Sequence, residues 1–275
     1  MRNWTVSVIV PAYNEEKNIV ETLKRLTKLQ DEIGFLEIIV VDDGSEDNTS
    51  KEIANFVNVK YIKHPRNLGK GTALNTGIRE SVGEIIVIQD ADMEYFPEKI
   101  PDLIAPILKE EVDVVYGTRL FRGLPEGMSF SHYIGNRILS LVATMVYGVK
   151  LTDVMTGYKA FARKIFDSFE LESSGFGIEI ELTVKSLSNG WKFKEIPLPY
   201  RYRQKGTSKI KYKDGLRCLL QLLTGKFGLS HQPVGETLAC LKNAEKDVPR
   251  MTRRLRYLER EVLKNKFKIR TQKEN

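Results

Sequence analysis

Short runs of β-branched apolar residues alternate with stretches of helical periodicity over the first 117 residues of the chain. The runs predict five strands with helices between them, near residues 5–11, 36–42, 58–64, 84–90 and 112–117. Strand–helix units repeated in this way are typical of a parallel sheet with helices on both faces. We therefore predict an α/β fold with a mostly parallel sheet flanked by helices.

Acidic and polar residues follow three of the predicted strands directly. Asn14–Glu16 follow the first strand, Asp42–Ser45 follow the second, and Asp90 and Asp92 follow the strand at 84–90. Ligands of open α/β sheets bind outside the carboxyl ends of the strands, and Mg²⁺ commonly takes one or two carboxylates together with substrate phosphates. Each cluster alone would also suit an ordinary turn or the first turn of a helix. The three together favour a metal and diphosphate site at this edge of the sheet.

Two further features of the sequence allow two interpretations each. The Asn67–Gly71 run overlaps the start of a helix predicted over 70–82, and its glycines either bring backbone N–H groups close to a ligand or form a tight turn. Glu179 and Glu181 lie near the start of another predicted helix, where they either interact favourably with the helix dipole or contact sugar hydroxyls. Neither choice is decided by the sequence.

The pattern changes after residue 117. The elements predicted there are a helix over 133–148, a turn and strand over 153–161, a helix over 176–190, an edge strand over 194–202 and a helix over 214–227. The first of these helices has a broad apolar face, which suits either a core helix or a helix at a bilayer interface. Residues 229–275 predict a basic, helical C-terminal extension that packs on the domain, forms a coiled coil or lies on an anionic membrane.

The composition indicates a protein with an anionic partner. The 275 residues carry a net charge of +7 and are 41% hydrophobic, and a basic balance favours nucleic acid, a membrane surface or phosphorylated substrates. Nucleic acid is the weakest of these, because the sequence has no zinc-ligand spacing and no RNA-binding aromatic signature. No stretch approaches ~20 uninterrupted apolar residues, which predicts no transmembrane helix, and no signal peptide is visible. Cys218 and Cys240 fit reduced thiols better than a disulfide, which favours a cytoplasmic protein.

Several motifs carry a resemblance to a known family. They are V-S-V-I-V-P-A-Y-N-E-E at the first strand, V-V-D-D-G-S at the second, N-L-G-K-G at Asn67–Gly71, and Q-D-A-D ending at Asp92. These motifs resemble the nucleotide-sugar half of family 2 glycosyltransferases. The later motifs D-V-M-T-G-Y-K-A-F, from Asp153, and R-Q-K-G-T-S-K, from Arg203, resemble one branch of that family. This branch loads a sugar onto a polyprenyl phosphate and comprises the dolichol-phosphate mannose and glucose synthases and their relatives.

The resemblance implies a GT-A fold over residues 1–228, with a nucleotide-sugar half at 1–117 and an acceptor half at 118–228. It implies a nucleotide pocket formed by Pro11, Tyr13, Glu15, Asp43, Lys70 and Asp90. It implies that Mg²⁺ or Mn²⁺ is held by Asp90, Asp92 and Glu94. The implied catalytic residues are Asp92, Arg119, Asp153 and Arg203. The implied contacts of an acceptor phosphate are Arg137, Ser140, Arg203 and Lys209.

The resemblance also implies a single displacement that inverts the anomeric carbon of UDP-glucose, UDP-N-acetylglucosamine or GDP-mannose. Asp43 would accept a hydrogen bond from the base and Glu15 from the ribose or base, and the N-L-G-K-G run resembles the glucose-type synthases, which favours uridine. A polyprenyl phosphate acceptor is ionised at neutral pH and needs no strong base, which suits Arg119 and Arg137. A hydroxyl acceptor needs a carboxylate base, for which Asp153 is the best candidate.

Three alternatives remain open: a glycosyltransferase acting on a saccharide or glycolipid hydroxyl, a nucleotidyltransferase, and a non-catalytic membrane-associated binding module. A nucleotidyltransferase would also use acidic metal ligands, but no glycine-rich loop with an arginine follows the first strand directly. The helix of the C-terminal extension would let two copies of the chain associate. We therefore predict a peripheral membrane enzyme whose partners are a nucleoside-diphosphate sugar and a polyprenyl phosphate.

Overall fold

One sheet of seven strands organises the described part of the protein. The computed structural model describes residues 4–33, 36–175, 177–201 and 212–225. Its strands are β1 (Val6–Ala12), β2 (Leu36–Asp42), β3 (Val59–Lys63), β4 (Ile85–Ile88), β5 (Val114–Thr118), β6 (Lys159–Ala162) and β7 (Phe193–Pro197). Across the sheet their order is β3-β2-β1-β4-β6-β5-β7. The strand β6 runs antiparallel to both of its neighbours, and the other pairs are parallel.

Seven α-helices in the described residues accompany these strands. They are α1 (Ile19–Ile33), α2 (Thr49–Ile53), α3 (Lys70–Glu80), α4 (Ile100–Leu108), α5 (Phe130–Tyr147), α6 (Ile178–Ser188) and α7 (Tyr212–Gly225). Each of the five strands predicted before residue 117 is present, with its ends within two residues of the predicted ones. The edge strand predicted over 194–202 from Pro197 and Pro199 is β7, which ends at Pro197 and lies at one end of the sheet order.

The alternation of side chains along β1 divides the core into two layers. Val8 packs on one face of the sheet with Leu23 and Leu26 of α1, and Ile9 packs in the cluster that contains Leu74 of α3. Successive residues of a strand point to opposite faces, so an unbroken run of buried apolar residues requires cover on both sides. The strand β1 is therefore a central strand with helices on both of its faces.

The order in which the chain adds strands to the sheet reverses at β1. From β1 the chain adds β2 and then β3 on one side, and it then adds β4 on the other side of β1. Parallel pairing aligns Ala12 at the end of β1 with Asp42 at the end of β2, and β4 is also parallel to β1. The carboxyl ends of these strands therefore meet at one edge of the sheet, at the kind of switch point where α/β folds bind ligands.

The helix predicted over 133–148 is α5, and it begins three residues earlier than predicted. Ser129 is the N-cap, and its hydroxyl accepts a hydrogen bond from a backbone N–H of the first turn at 3.3 Å. Gly148 ends the helix in the left-handed conformation, with a φ of 75°. Leu139 and Val142 are buried, so one side of α5 packs on the protein.

The chain divides between Phe227 and Gly228. Before that boundary, α7 contacts α5 through the hydroxyl of Tyr147, which donates to the carbonyl oxygen of Leu222 at 3.1 Å. Residues 229–275 lie outside the described residues, so the C-terminal extension stays a prediction. Within the ranges that the structure describes, no helix is both long enough and apolar enough to cross a bilayer.

Candidate functional site

A cleft of about 770 Å³, a volume that includes its open mouth, lies at the switch point. Its lining residues are Pro11, Ala12, Tyr13, Glu15, Asp43, Asn67, Gly69, Lys70, Ala73, Asp90, Ala91, Asp92 and Gly175. This set contains all six residues of the nucleotide pocket that the family resemblance implied, together with Asp92. The three polar clusters at the ends of β1, β2 and β4 therefore meet in one cleft.

Two carboxylates in the cleft suit a divalent cation. Asp90 and Asp92 both line it, and hard cations take carboxylate oxygens together with substrate phosphates. Glu94 is not a lining residue: its backbone N–H donates to Asp92 Oδ1 at 3.1 Å, and its side chain hydrogen-bonds with Tyr200. Among the residues described, no three acidic, histidine or cysteine side chains form a metal cluster. Asp90 and Asp92 therefore suit a cation that is shared with a bound diphosphate, and a metal contact from Glu94 stays a prediction.

Lys70 extends from the first turn of α3 into the cleft and pairs with Asp90. Its Nζ lies 2.7 Å from Asp90 Oδ1 and 2.9 Å from Glu179 Oε1. Burial lowers the pKa of Lys70, but the two carboxylates outweigh burial and hold the pKa above its ordinary value. Gly157 makes room for Asp90, since a Cβ at that position would lie 2.0 Å from Asp90 Oδ2. The ammonium group of Lys70 therefore places a positive charge in the cleft beside the candidate metal ligands.

Sequence reasoning missed Lys159 and its pairing with Glu179, which together support Lys70 from the interior. Glu179 bonds Lys70 through Oε1 and Lys159 through Oε2, and both Glu179 and Lys159 are buried. A signal was present, because Lys159 begins the otherwise apolar strand K-A-F-A of β6. Lysine is almost never fully buried unless it is paired. A lysine at the start of a buried strand therefore indicates an acidic partner elsewhere in the core.

Glu179 and Glu181 both lie in the first turn of α6, as the helix-dipole interpretation requires, and both also have specific partners within the protein. Glu179 is occupied by the two lysines, and Glu181 accepts hydrogen bonds from the backbone N–H groups of Glu172 at 2.8 Å and Ser173 at 2.7 Å. Glu181 also pairs with Lys185 at 2.8 Å. Both carboxylates are buried and serve contacts within the protein, which argues against a direct contact with sugar hydroxyls.

Asp43 holds the loop that leads into α3. Its Oδ1 accepts from the backbone N–H of Leu68 at 2.9 Å and its Oδ2 from that of Gly69 at 2.7 Å. His64 Nδ1 lies 2.7 Å from Oδ1. A nucleotide base that donated to Asp43 would therefore share an oxygen that already accepts a hydrogen bond. In this structure Asp43 acts as the anchor of the loop that lines the cleft.

The glycines at the start of α3 allow close packing. The backbone N–H groups of Gly71 and Thr72 both donate to the carbonyl oxygen of Ser174, at 2.7 and 3.3 Å. A Cβ at Gly71 would lie 1.8 Å from the carbonyl oxygen of Ser173. Because these N–H groups are bonded within the protein, the first turn of α3 supplies the cleft with the side chain of Lys70 and not with a nest of backbone amides.

The loop after β1 is tied to the loop after β2. The backbone N–H of Asn14 donates to Ser45 Oγ at 3.0 Å, and that of Glu15 donates to Thr49 Oγ1 at 2.8 Å. Asn14 has a φ of 53°, which asparagine tolerates better than most residues. These bonds fix the backbone on both sides of the position where Tyr13 and Glu15 enter the cleft.

Arg119 and Asp153, two predicted catalytic residues, form a buried ion pair. Arg119 Nε lies 2.8 Å from Asp153 Oδ2, and its Nη2 lies 2.8 Å from Oδ1. Asn136 Nδ2 donates to Oδ1 at 2.6 Å. Burial raises the pKa of Asp153, but the charge of Arg119 and these hydrogen bonds outweigh burial and hold the pKa below its usual range. This placement argues against Asp153 as a general base, because its carboxylate is enclosed and weakly basic.

The predicted acceptor residues lie in different surroundings. Ser140 is 1% exposed; its Oγ accepts from the backbone N–H of Val154 at 2.9 Å and donates to Asn136 Oδ1 at 3.4 Å. These contacts argue against the predicted bond between Ser140 and an acceptor phosphate. Arg137 is half-buried on the same helix. Arg203 and Lys209 lie outside the described residues, and their roles stay predictions.

Comparison with known proteins decides the family. The family model of glycosyl transferase family 2 matches residues 7–169. The chain belongs to this family. An uncharacterised protein of Methanocaldococcus jannaschii is 35% identical over 233 residues, which cover 80% of this chain and 92% of that protein. A dolichol-phosphate mannosyltransferase of Pyrococcus furiosus is 32% identical over 217 residues, which cover 76% of this chain but only 60% of that enzyme.

Solved structures of other glycosyltransferases share the fold. A glucosyl-3-phosphoglycerate synthase from Mycobacterium tuberculosis, crystallised with Mn²⁺, UDP and glucosyl-3-phosphoglycerate, matches with a TM-score of 0.65 at 22% identity. The match covers 84% of this chain and 81% of that chain. The sheet order and the family together confirm the predicted GT-A fold, the predicted membership of glycosyltransferase family 2 and the predicted enzyme class.

Proposed function

We propose that this family 2 glycosyltransferase moves a sugar from a nucleoside-diphosphate sugar to a polyprenyl phosphate at a membrane surface, with inversion at the anomeric carbon. The similarity to a dolichol-phosphate mannosyltransferase supports this acceptor. The motifs that begin at Asp153 and Arg203 support it independently, because they resemble the polyprenyl-phosphate branch of the family.

The burial and the hydrogen bonds of Asp153 are the main observation in favour of a phosphate acceptor. Its carboxylate is bonded to Arg119 and Asn136 and has no exposed surface, so it is badly placed to remove a proton from a sugar hydroxyl. A phosphate monoester has already lost its proton at pH 7 and attacks without a strong base. A cationic group near the acceptor is then the main requirement. Arg137 on α5 is our candidate for that role among the residues described.

The leaving group is a nucleoside diphosphate, on which negative charge grows as the glycosidic bond breaks. Lys70 supplies a permanent positive charge in the cleft for this diphosphate. Asp90 and Asp92 would hold Mg²⁺ or Mn²⁺, which stabilises the same charge as a Lewis acid when it is bound. Tyr13 and Glu15 line the cleft beside them and are our candidates for contacts with the nucleoside.

The donor is proposed from the sequence and from the relatives. The Asn67–Gly71 run resembles the glucose-type synthases and favours a uridine nucleotide. The similar enzyme of Pyrococcus furiosus is named a mannosyltransferase, which makes GDP-mannose the other candidate. We therefore compare UDP-glucose, UDP-N-acetylglucosamine and GDP-mannose directly.

Exposed apolar side chains in the loop after β5 and in the first half of α5 support a membrane-bound acceptor. Phe121 and Leu124 are 66% and 49% exposed, and Phe130 and Ile138 are 44% and 39% exposed. The first two follow the carboxyl end of β5, which points to the same edge of the sheet as β1 and β4. Large exposed apolar patches often mark a membrane or protein contact, and these four side chains are candidates for such a patch. We propose that this surface faces the bilayer that carries the lipid phosphate.

Transfer of radiolabelled sugar to a short-chain polyprenyl phosphate tests the proposal. The purified full chain is incubated with each donor and Mg²⁺ or Mn²⁺, and label is counted in the lipid phase. We expect metal-dependent label with one donor and its loss in Asp92→Asn. Asp102→Asn is the matched control, because Asp102 lies on α4 with 56% of its side chain exposed and should leave transfer unchanged.

Other outcomes would redirect the assignment. Slow hydrolysis of a donor without lipid product would move the acceptor to a hydroxyl and would overturn the proposed substrate. Release of pyrophosphate would indicate a nucleotidyltransferase. Binding of a donor with neither transfer nor hydrolysis would favour a non-catalytic binding module.

A further inference from the structure

A chain of four alternating charges runs from the cleft into the core. Asp90 contacts Lys70, Lys70 contacts Glu179, and Glu179 contacts Lys159. The first two residues line the cleft, whereas the side chains of Glu179 and Lys159 are 4% and 0% exposed. Lys70 is therefore held between one carboxylate that a ligand can reach and one that it cannot.

Three groups contact the ammonium of Lys159 and oppose the effect of burial, which lowers the pKa of this lysine below its ordinary value. Its Nζ donates to Glu179 Oε2 and to the carbonyl oxygen of Thr156, and it lies 4.7 Å from the centre of the Tyr116 ring. These three partners match the three N–H donors of an ammonium group. Lys159 has no exposed surface and does not line the cleft, and its ion pair with Glu179 is its most direct connection to Lys70.

The charge of Glu179 can be balanced by either lysine. Its two oxygens are divided between them, Oε1 to Lys70 and Oε2 to Lys159. If Lys159 were neutral, Lys70 would be the one remaining cation of the four that pairs with Glu179. The attraction between Glu179 and Lys70 would be strong, because buried surroundings screen charge poorly. Lys70 would then be drawn inward, and its charge would be cancelled by Glu179 before any ligand arrived.

We propose that Lys159 is a positioning residue for Lys70: by neutralising Glu179 it leaves the charge of Lys70 available to a diphosphate in the cleft. This inference rests on the proposed function, since it takes the cleft to be a site for nucleoside diphosphates. Lys159 touches neither the donor nor the reacting atoms. Its role is to keep the buried charges balanced so that Lys70 can exchange Asp90 for a phosphate oxygen.

Calorimetric titration with UDP and with GDP, each in the presence of Mg²⁺, tests this role in the full chain. Lys159→Met removes the charge and keeps most of the side-chain length. We expect binding of the preferred nucleotide to weaken by roughly tenfold or more. In donor kinetics the KM should rise more than kcat falls. Lys164→Met is the matched control: it makes the same change in net charge at a side chain that is 60% exposed, and it should bind like the wild type.

A second variant separates charge balance from damage to the fold. In Lys159→Met/Glu179→Gln both buried charges are removed. No ionised carboxylate at position 179 then cancels the charge of Lys70. We expect this double variant to bind UDP or GDP within about threefold of the wild type, although it lacks the contacts that Lys159 makes with Glu179, Thr156 and Tyr116. A purely structural role for Lys159 predicts the opposite order, with the double variant at least as impaired as the single one.

The outcomes distinguish this inference from the proposed function. Equal nucleotide affinity in the wild type and Lys159→Met, or failure of the double variant to recover affinity, overturns the role of Lys159 alone. Normal nucleotide binding without transfer to lipid phosphate overturns the proposed acceptor alone. If the wild type binds neither nucleotide, both are wrong. If Lys159→Met does not fold, the double variant carries the test, and a loss of tenfold or more in its affinity contradicts the inference.

Discussion

The hydroxyl of Tyr61 on β3 donates a hydrogen bond to Asp42 Oδ2 at the end of β2, at 3.0 Å. Asp42 is fully buried and also accepts from the backbone N–H of Ser45 at 2.8 Å and from Ser50 Oγ at 2.6 Å. Burial raises the pKa of Asp42, but these hydrogen bonds outweigh burial and lower the pKa below its usual value. The carboxylate therefore fixes the loop after β2, which carries Asp43 into the cleft.

The lowered pKa of Asp42 predicts a pH-dependent contribution to stability. An acid whose folded-state pKa lies below the unfolded value stabilises the protein above the unfolded pKa of about 3.9, and this stabilisation is lost as the pH falls through the folded pKa. Asp42→Asn should therefore cost about 1–3 kcal/mol at pH 7. The difference between the variant and the wild type should shrink below about pH 4.

Urea unfolding of both proteins across this pH range measures the difference directly. The acid effects of other carboxylates are common to both proteins and cancel in the comparison. Glu21→Gln is a suitable control, since Glu21 is 53% exposed in a pair with Arg25. A difference between wild type and Asp42→Asn that stays constant or grows as the pH falls would show that the ionised carboxylate is not what stabilises this loop.

The buried pair of Arg119 and Asp153 predicts a large loss of stability when its acid is neutralised. Asp153→Asn leaves the guanidinium of Arg119, which is 12% exposed, without its anion. Removal of one partner of a buried pair costs about 3–5 kcal/mol. Equilibrium unfolding in urea checks this. Stability equal to that of the wild type, combined with complete loss of transfer, would instead restore Asp153 as a catalytic base.

The close packing at Gly157 predicts that the addition of one methyl group there weakens nucleotide binding. A Cβ there would lie 2.0 Å from Asp90 Oδ2 and 3.5 Å from Lys70 Nζ. Gly157→Ala should displace the Asp90 carboxylate and weaken Mg²⁺-dependent binding of UDP or GDP by roughly tenfold. Gly135→Ala makes the same change on α5, where a Cβ has no neighbour within 4 Å. It should leave binding unchanged. Equal affinities of Gly157→Ala and Gly135→Ala would contradict the predicted displacement.

The sheet and the position of the cleft were predictable because burial on both faces leaves a strong pattern. A strand such as β4, with four consecutive buried residues, requires an unbroken apolar run. Polar residues that follow such runs then stand out, as Asp90 and Asp92 do. Since parallel strands end at the same edge of a sheet, the meeting of the three clusters follows from the topology without knowledge of any side-chain contact.

The roles of individual polar residues were less predictable, because burial and partners decide them. Asp153 and Arg119 are separated by 34 residues and Lys159 and Glu179 by 20, so each pair forms only when the chain folds. Ser140 was assigned to an acceptor from its motif, but the packing of α5 turns its hydroxyl towards Val154. A motif identifies which residues belong near a site, and it does not say which of them a ligand can reach.

The exposed apolar residues near α5 predict membrane binding by one edge of the sheet. Phe121 and Leu124 follow β5, whereas Val57 and Val82 precede β3 and β4 and so lie at the opposite edge. The two valines are 94% and 76% exposed. Burial of an apolar side chain in a bilayer is worth about 1.5–3 kcal/mol at most. Phe121→Ser/Leu124→Ser should therefore reduce binding to liposomes at least about tenfold, while Val57→Ser/Val82→Ser should not.

Sedimentation of the full chain with anionic liposomes measures this partition. Repeating it at high salt separates the two contributions, since the basic residues of the chain act through charge and are screened, whereas the apolar residues are not. We expect the serine variants at 121 and 124 to lose the salt-resistant fraction of binding. Equal loss of liposome binding in both double variants would mean that the exposure of the side chains, and not their position at the edge of the cleft, determines membrane binding. Absence of binding in the wild type would contradict a membrane-bound acceptor.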